Sequence, residues 1–176
     1  MTTSSHKAIY PGSFDPPTLG HLDVLKRARR IFDEIVVAVG CNPDKTAFFE
    51  ADVRVEMMNR LVEELLEGSD EGAKVTVAFY DGLTVDFARK IGATVILRGI
   101  RNTTDLHSEC QLAITNRQVA DIETVFVVPG ETFAYTSSGL IRQIASLGGD
   151  LNRLRGMLPS LVIDAISERR RSSHTA

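Results

Sequence analysis

The sequence is poor in cysteine, whose disulfide bonds stabilise many small or extracellular folds. It has only two cysteines, Cys41 and Cys110, and no tryptophan. Because the cysteines lie far apart and without metal-ligand spacing, we expect free thiols, buried as small apolar side chains, in a reducing compartment. No apolar run approaches the roughly 20 residues of a membrane span, and the first residues do not resemble a signal peptide. These absences predict a soluble, cytoplasmic protein.

The chain also lacks an excess of positive charge. Its 20 Lys and Arg residues stand against 23 Asp and Glu residues, a net charge of −3. Proteins that bind duplex nucleic acid are normally basic, so we expect no nucleic-acid partner, although a few cations could still hold a small anion. Neither a G-x-x-x-x-G-K-[ST] loop nor a G-x-G-x-x-G turn after the first strand occurs, which argues against P-loop and dinucleotide redox enzymes.

Short β-branched runs alternate with amphipathic stretches along the chain. This alternation predicts an α/β fold with a doubly wound, five-stranded parallel sheet in one domain spanning 1–176, with 1–6 and 171–176 flexible. Ligands of such sheets bind at the carboxyl ends of the strands, near a switch in strand order. The predicted strands are 8–10, 35–39, 75–79, 94–97 and 124–128, and the predicted helices are 19–32, 57–65, 83–91, 105–120, 137–147 and 160–170.

The turn after the first strand contains the residues of an anion site. Gly12 lets a ligand approach the backbone, and Ser13 adds a hydroxyl group. Thr18 is placed to cap the following helix, with His21 in its first turn beside free N–H groups and the positive end of the helix dipole. An ordinary turn with an exposed histidine is the alternative interpretation.

Two arginines bracket a glycine after the fourth strand, in the segment L-R-G-I-R. Guanidinium groups bind phosphate in a bidentate manner, so Arg98 and Arg101 are candidate phosphate ligands. Asp105 and Glu109 follow closely enough to pair with either arginine. Structural ion pairs are therefore the alternative.

Two further loops complete the pattern. After the fifth strand, Thr136, Ser137 and Ser138 begin a helix, and capping would need only one of the three hydroxyl groups. Lys45 follows the second strand, where a lone lysine is more often simply solvated. Because all these groups fall at one edge of one predicted sheet, together they predict a site that handles polyphosphates.

In their order and spacing, these motifs resemble the phosphopantetheine adenylyltransferase family, the T-x-G-H branch of the nucleotidyltransferases. The resemblance spans about residues 7–158 and implies a Rossmann-like nucleotidyltransferase fold. It further implies transfer of the adenylyl group of ATP to 4′-phosphopantetheine, giving dephospho-coenzyme A and pyrophosphate, the penultimate step of coenzyme A biosynthesis. Mg²⁺ accompanying ATP and a homohexamer are implied as well. The matching segments are Thr18-Leu19-Gly20-His21, Asn42-Pro43-x-Lys45, Arg98-Gly99-Ile100-Arg101 and Ser137-Ser138.

The resemblance also assigns residue roles. The catalytic residues would be His21, Lys45 and Arg98, and the acceptor would contact Ser13, Lys45, Thr84 and Arg98. The sequence departs from the usual family pattern at Gly139, where many members have a third serine, and at Leu106-His107-Ser108. ATP would contact Ser13, Phe14, His21, Gly99, Ile100, Arg101, Glu109, Phe133, Ala134, Tyr135, Thr136, Ser137, Ser138 and Gly139.

Three interpretations remain open from the sequence. The first is the adenylyltransferase just described. The second is a sister nucleotidyltransferase that uses another phosphorylated acceptor, or CTP. The third is a non-catalytic nucleotide-binding protein of the same fold. The sequence shows no cluster of metal ligands, so we expect no protein metal site and a Mg²⁺ ion that is carried by the triphosphate.

Overall fold

The structure, a computed structural model, describes residues 6–41, 46–68 and 71–174. The strands are β1 (Lys7–Gly12), β2 (Glu34–Gly40), β3 (Lys74–Tyr80), β4 (Val95–Gly99) and β5 (Glu123–Val127). The helices are α1 (Leu19–Ala28), α2 (Ala51–Leu66), α3 (Thr84–Lys90), α4 (Thr103–Ala120), α5 (Ser138–Ser146) and α6 (Ser160–His174). Short 3₁₀ helices span Glu131–Phe133 and Leu151–Leu154.

All five strands are parallel, in the order β3-β2-β1-β4-β5, and the central strands β1 and β2 are buried on both faces. Successive side chains of β1 alternate between the faces: Ala8 and Tyr10 pack with α1, α2, α5 and α6, whereas Ile9 packs with α3 and α4. This alternation explains why β1 and β2 are apolar along most of their length. The predicted doubly wound, five-stranded parallel sheet is confirmed.

The strand order reverses between β1 and β4. The chain adds β2 and β3 on one side of β1, then crosses to add β4 and β5 on the other. Gly12 and Gly99 end the two central strands, so the crevice expected at a switch point opens beside them. A side chain at Gly99 would come within 2.9 Å of Val24, so the glycine lets α1 pack closely over β4.

β1 and β4 each continue two residues past their predicted ends. β1 continues through Pro11 and Gly12, where the sequence indicated a stop. Its pairing with β4 covers only Ala8 and Ile9. Pro11 pairs with Ala38 of β2 on the other side. β4 includes Arg98, predicted to follow the strand. The charged side chain is tolerated there because protein groups accept its hydrogen bonds.

The last helix also extends further, to His174 instead of residue 170. Arg170 donates to the carbonyl oxygens of Ile144, Ala145 and Gly149, which lie at or just after the end of α5. This contact holds the last part of α6 against α5, and the helix includes residues 171–174 of the stretch predicted to be flexible. Residues 1–5, 175 and 176 lie outside the described residues.

The cysteine prediction was half right. Both thiols are free, but Cys41 is exposed and Cys110 is half-buried, so neither is the core residue that was expected. Cys41 follows the last residue of β2, and Cys110 lies on α4, whose only fully buried residue is Ala120. Among the described helices, none combines the length and apolar character needed to cross a membrane.

Candidate active site

The turn after β1 is organised around the ring of Phe14. This ring is 1 % exposed and lies edge-on to Tyr10 and His21, with ring centroids 5.4 and 5.1 Å apart. Phe14 has a φ of 45°, a conformation that non-glycine residues seldom adopt, so the chain reverses sharply at this point. Phe14, which was predicted to contact ATP, therefore places its side chain in the core and offers a ligand only its backbone.

Thr18 and His21 form a reciprocal cap at the start of α1. The hydroxyl of Thr18 accepts the N–H of His21 at 3.3 Å, and Nδ1 of His21 accepts the N–H of Thr18 at 3.1 Å. The predicted cap is confirmed, with a histidine in the place where glutamate usually closes such a box. Because Nδ1 accepts a backbone N–H, the neutral ring carries its proton on Nε2.

The surroundings of His21 favour that neutral form. Burial lowers the pKa of the imidazole, and the charges of Arg101 and Arg98 lower it further, to about 4 from the ordinary 6.5. At neutral pH the side chain is therefore an uncharged N–H donor.

Arg98 is held by a bidentate ion pair with Glu109. Its Nε and Nη2 donate to the two carboxylate oxygens at 2.7 and 2.5 Å, and Nη1 donates to the carbonyl of Pro11 at 2.8 Å. Burial alone would lower the pKa of Arg98, but the hydrogen bond and charge of Glu109 outweigh it and raise the pKa. The guanidinium is thus fixed in place and permanently charged.

Arg101 is fixed in a similar way on the other side of Gly99. Its Nε donates to Asp105 at 2.7 Å, and Nη1 donates to the carbonyl of Thr136. The Asn102 side chain caps α4 by accepting the N–H of Asp105 at 2.9 Å. The ion pairs considered from the sequence are therefore present, and they orient both arginines.

The start of α5 contributes hydroxyl groups and a cation. Ser137 precedes the helix, but its side chain makes no capping hydrogen bond. The hydroxyl of Ser138 donates to the carbonyl of Pro16 at 3.0 Å, and Nη1 of Arg142 donates to the carbonyl of Asp15 at 2.5 Å. These contacts hold the start of α5 against the turn after β1.

Two adjoining cavities open at this edge of the sheet. Cavity A, about 400 Å³, extends from Gly40 and Cys41 past Tyr80 and Thr84 to Leu112 and Asn116. Cavity B, about 450 Å³, extends from His21 and Val24 past Arg101 to Ser137 and Ser138. Both cavities are lined by Pro11, Gly12, Ser13, Arg98 and Arg142.

The structure brings most of the predicted site residues to these cavities. Ser13, Thr84 and Arg98 line cavity A. Tyr135 is 88 % exposed and, with Ile100, Phe133 and Ala134, is not among the residues lining cavities A and B. Lys45 lies outside the described residues. Cavity B is lined by Ser13, Phe14, His21, Arg98, Gly99, Arg101, Glu109, Thr136, Ser137, Ser138 and Gly139.

Two arginines at the site were not predicted. Arg142 lines both cavities, and it follows Ser138 by four residues, so helical spacing from the serine motif could have indicated it. Arg54, in the first turns of α2, lines cavity A while being only 2 % exposed. A single arginine on an amphipathic helix carries no such signal in the sequence.

Comparison with known proteins agrees with this geometry. A family model described as cytidylyltransferase-like matches residues 9–144. The phosphopantetheine adenylyltransferase of Aquifex aeolicus is 44 % identical over 148 residues, 84 % of this chain and 88 % of that protein. The phosphopantetheine adenylyltransferase of Clavibacter michiganensis is 42 % identical over 163 residues, 93 % of this chain and 96 % of that protein.

The chain belongs to the phosphopantetheine adenylyltransferases. It is therefore a nucleotidyltransferase, and the family resemblance seen in the motifs is confirmed. A nicotinic acid mononucleotide adenylyltransferase of Plasmodium falciparum, solved in complex with APC, shares the fold with a TM-score of 0.56. At 19 % identity over 95 % of this chain and 96 % of that one, it shows the fold alone.

Two acidic groups that line cavity B are engaged with its arginines. Glu109 pairs with Arg98 and Asp105 pairs with Arg101. Within residues 6–41, 46–68 and 71–174, no cluster of three or more His, Cys, Asp or Glu side chains could hold a metal ion.

Proposed function

We propose that this phosphopantetheine adenylyltransferase binds 4′-phosphopantetheine in cavity A and MgATP in cavity B. It transfers the adenylyl group to the acceptor phosphate and releases pyrophosphate, giving dephospho-coenzyme A. One observation carries the proposal: the two cavities meet at Ser13, Arg98 and Arg142, so two anions held in them would face each other across shared cations.

The acceptor phosphate lies at the boundary between the cavities in this proposal. Three of the five N–H groups of Arg98 are used by Glu109 and Pro11, which leaves two for a phosphate. Ser13 adds a hydroxyl, and Lys45 adds a second cation by resemblance. Thr84 stands further along cavity A, its hydroxyl within 2.8 Å of the Tyr80 hydroxyl, where the pantetheine arm would extend.

ATP occupies cavity B in this proposal. Arg101, Gly99 and Glu109 form the side next to the start of α4, and the hydroxyl-rich start of α5 forms the opposite side. The triphosphate would face Ser137, Ser138 and Arg142, beside the N-terminus of α5, where N–H groups and the helix dipole favour negative charge. The backbone of Phe14 borders the same cavity.

The reaction proposed is a direct in-line displacement. An oxygen of the acceptor phosphate forms a bond to the α-phosphorus of ATP, while the bond from that phosphorus to the bridging oxygen breaks and pyrophosphate leaves with the electron pair. No general base is required, because a phosphate is already ionised at neutral pH. Catalysis then consists of orientation and stabilisation of charge.

His21 supplies one such stabilising group. Its ring is neutral at physiological pH, and its Nε2–H faces away from the bond that Nδ1 makes to Thr18. We assign it to donate to the oxygens of the transferring phosphoryl group, where negative charge grows. The Mg²⁺ of MgATP is part of the substrate, and it neutralises charge on the triphosphate oxygens.

Incubation of the protein with MgATP and 4′-phosphopantetheine tests this function. The expected product is dephospho-coenzyme A, identified by mass, with equimolar pyrophosphate. Nicotinic acid mononucleotide as acceptor, and CTP as donor, are the matched controls for a sister nucleotidyltransferase. Turnover with either control and none with 4′-phosphopantetheine would overturn the proposal.

We also propose that the chain assembles as a homohexamer. The 18-residue helix α4 exposes Leu106, Ile114 and Val119, which are 42, 58 and 58 % accessible. Apolar side chains grouped on one helix of a chain are typical of a surface covered by another subunit. Light scattering should give six chains per particle, and Ile114→Lys should lower that number; a monomeric wild type would contradict the proposal.

A further inference from the structure

Arg54 joins three segments of the chain beneath cavity A. Its Nη1 donates to the carbonyls of Ser13 at 2.6 Å and Gly40 at 2.9 Å, and its Nε donates to the carbonyl of Phe49 at 3.0 Å. Nη2 lies 3.4 Å from the sulfur of Cys41. One planar guanidinium therefore links the turn after β1, the end of β2 and the residues just before α2.

Asp15 holds the same region from the turn. Its carboxylate accepts the N–H groups of Phe48 at 2.7 Å and Phe49 at 2.9 Å, and the residue is 5 % exposed. Phe49 is thus bound through its N–H by Asp15 and through its carbonyl by Arg54. Among the described residues, no carboxylate lies within ion-pair distance of Arg54. The oxygen atoms that accept its hydrogen bonds there are backbone carbonyls.

The bond to Ser13 orients a peptide that separates the two cavities. In a trans peptide the C=O and the following N–H point in opposite directions. Because the Ser13 carbonyl points to Arg54, which lines cavity A, the Phe14 N–H points away from it, and Phe14 lines cavity B. In the part of the chain that the structure describes, no protein group accepts that N–H.

We infer that Arg54 is a positioning residue for adenylyl transfer. By binding the Ser13 carbonyl it fixes the Ser13–Phe14 peptide, and with it the hydroxyl of Ser13, between the two reacting phosphates. By binding Gly40 and Phe49 it fixes the side of cavity A that faces this peptide. The inference rests on the proposed function, and it assigns Arg54 no contact with either substrate.

The expected consequence is a loss of turnover larger than the loss of binding. Misplacement of a reacting group by about 1 Å can cost about 10²-fold in rate. Arg54→Met removes all the polar contacts but keeps most of the volume, and we expect kcat to fall about 10²-fold. Each KM should change by less than about 10-fold, because the groups that bind the substrates remain.

Arg29 provides a matched control. It is also a buried arginine, 7 % exposed, and it donates to the carbonyls of Ala73 at 3.3 Å and Glu71 at 2.5 Å. These carbonyls lie just before β3, at the amino end of the strands and away from both cavities. Arg29→Met should therefore lower the midpoint of thermal unfolding without changing kcat or either KM.

The experiment measures kcat and both KM values for the wild type, Arg54→Met, Arg54→Lys and Arg29→Met, well below each melting temperature. Arg54→Lys keeps the charge and some of the hydrogen bonds, so its kcat should lie between wild type and Arg54→Met. If Arg54→Met does not fold, a kcat of Arg54→Lys at least about 3-fold below that of Arg29→Met supports the inference.

Two failures are distinguishable in this design. If the wild type makes no dephospho-coenzyme A, the proposed function is wrong. If the wild type is active and the folded Arg54 variants keep a kcat equal to that of Arg29→Met, Arg54 has only a structural role, and the inference is overturned.

Discussion

Nδ1 of His21 accepts the backbone N–H of Thr18 at 3.1 Å, so one hydrogen bond both caps α1 and sets the tautomer of the imidazole. The ring stands edge-on to Phe14, which is buried beneath Gly12. The ring that we propose as the donor is therefore held by the helix start and by the core, and these contacts set the direction of its free N–H group.

Replacing His21 by alanine should reduce turnover strongly. Removal of one donor to a transition-state oxygen typically costs about 10²–10³-fold in kcat. We expect that loss for His21→Ala, with only a modest weakening of ATP binding in a direct titration. Thr18→Ala is the control for the lost helix cap, and it should reduce kcat much less. A folded His21→Ala variant with wild-type turnover would rule out the assigned role.

The imidazole of His21 should titrate far below the ordinary histidine value. Nitrogen-15 NMR of the free enzyme should show the Nε2–H tautomer and a pKa near 4, instead of the ordinary 6.5. His21→Asn identifies the signal by its disappearance. A pKa close to 6.5, or a proton on Nδ1, would contradict the hydrogen bond to Thr18.

The same shift predicts a pH-dependent stability. Because the folded protein binds the His21 proton less readily than the unfolded chain, the contribution of this group is complete above about pH 6.5 and is lost as the pH falls towards 4. The loss in the free energy of unfolding is up to about 3 kcal/mol. Between pH 7 and pH 4.5, the free energy of unfolding measured with urea should fall more for wild type than for His21→Asn. Equal decreases in the two proteins would refute this prediction.

Arg98 should act mainly on the acceptor. Arg98→Ala removes the cation shared by both cavities, and we expect a higher KM for 4′-phosphopantetheine with a smaller change in the KM for ATP. Arg89→Ala is the control, an arginine on α3 whose side chain is about half exposed. Normal acceptor affinity in Arg98→Ala would show that the phosphate lies elsewhere.

The contact of Arg170 with α5 should stabilise the fold. Arg170→Ala leaves three carbonyls near the end of α5 without this donor, and we expect a loss of about 1–3 kcal/mol in the free energy of unfolding. Arg155→Ala, whose side chain bonds the nearby Asn152 side chain and no other described residue, should cost less than about 0.5 kcal/mol. Equal midpoints of urea unfolding for the two variants would contradict this assignment.

The order of strands and helices could be predicted because it depends on local patterns. β-branched runs indicated the buried strands, and the T-x-G-H turn indicated both the capping Thr18 and the position of His21. Several boundaries were wrong: α1 ends at Ala28 instead of residue 32, α2 begins at Ala51 instead of residue 57, and β1, β4 and α6 have other ends than predicted. Two of these ends depend on distant partners. Arg98 can belong to β4 because Glu109 and the carbonyl of Pro11 accept its hydrogen bonds. Arg170 holds the last part of α6 because it donates to the end of α5.

The sequence alone determined the α/β class, the sheet edge at which the two cavities open and the family, since these follow from periodicity and from motifs a few residues long. Only the tertiary structure decided that Phe14 is a core residue, that Glu109 orients Arg98, and that Arg54 and Arg142 belong to the site. The physical reason is that a buried charge finds its hydrogen-bond partners across the fold, at separations along the chain that no local pattern records.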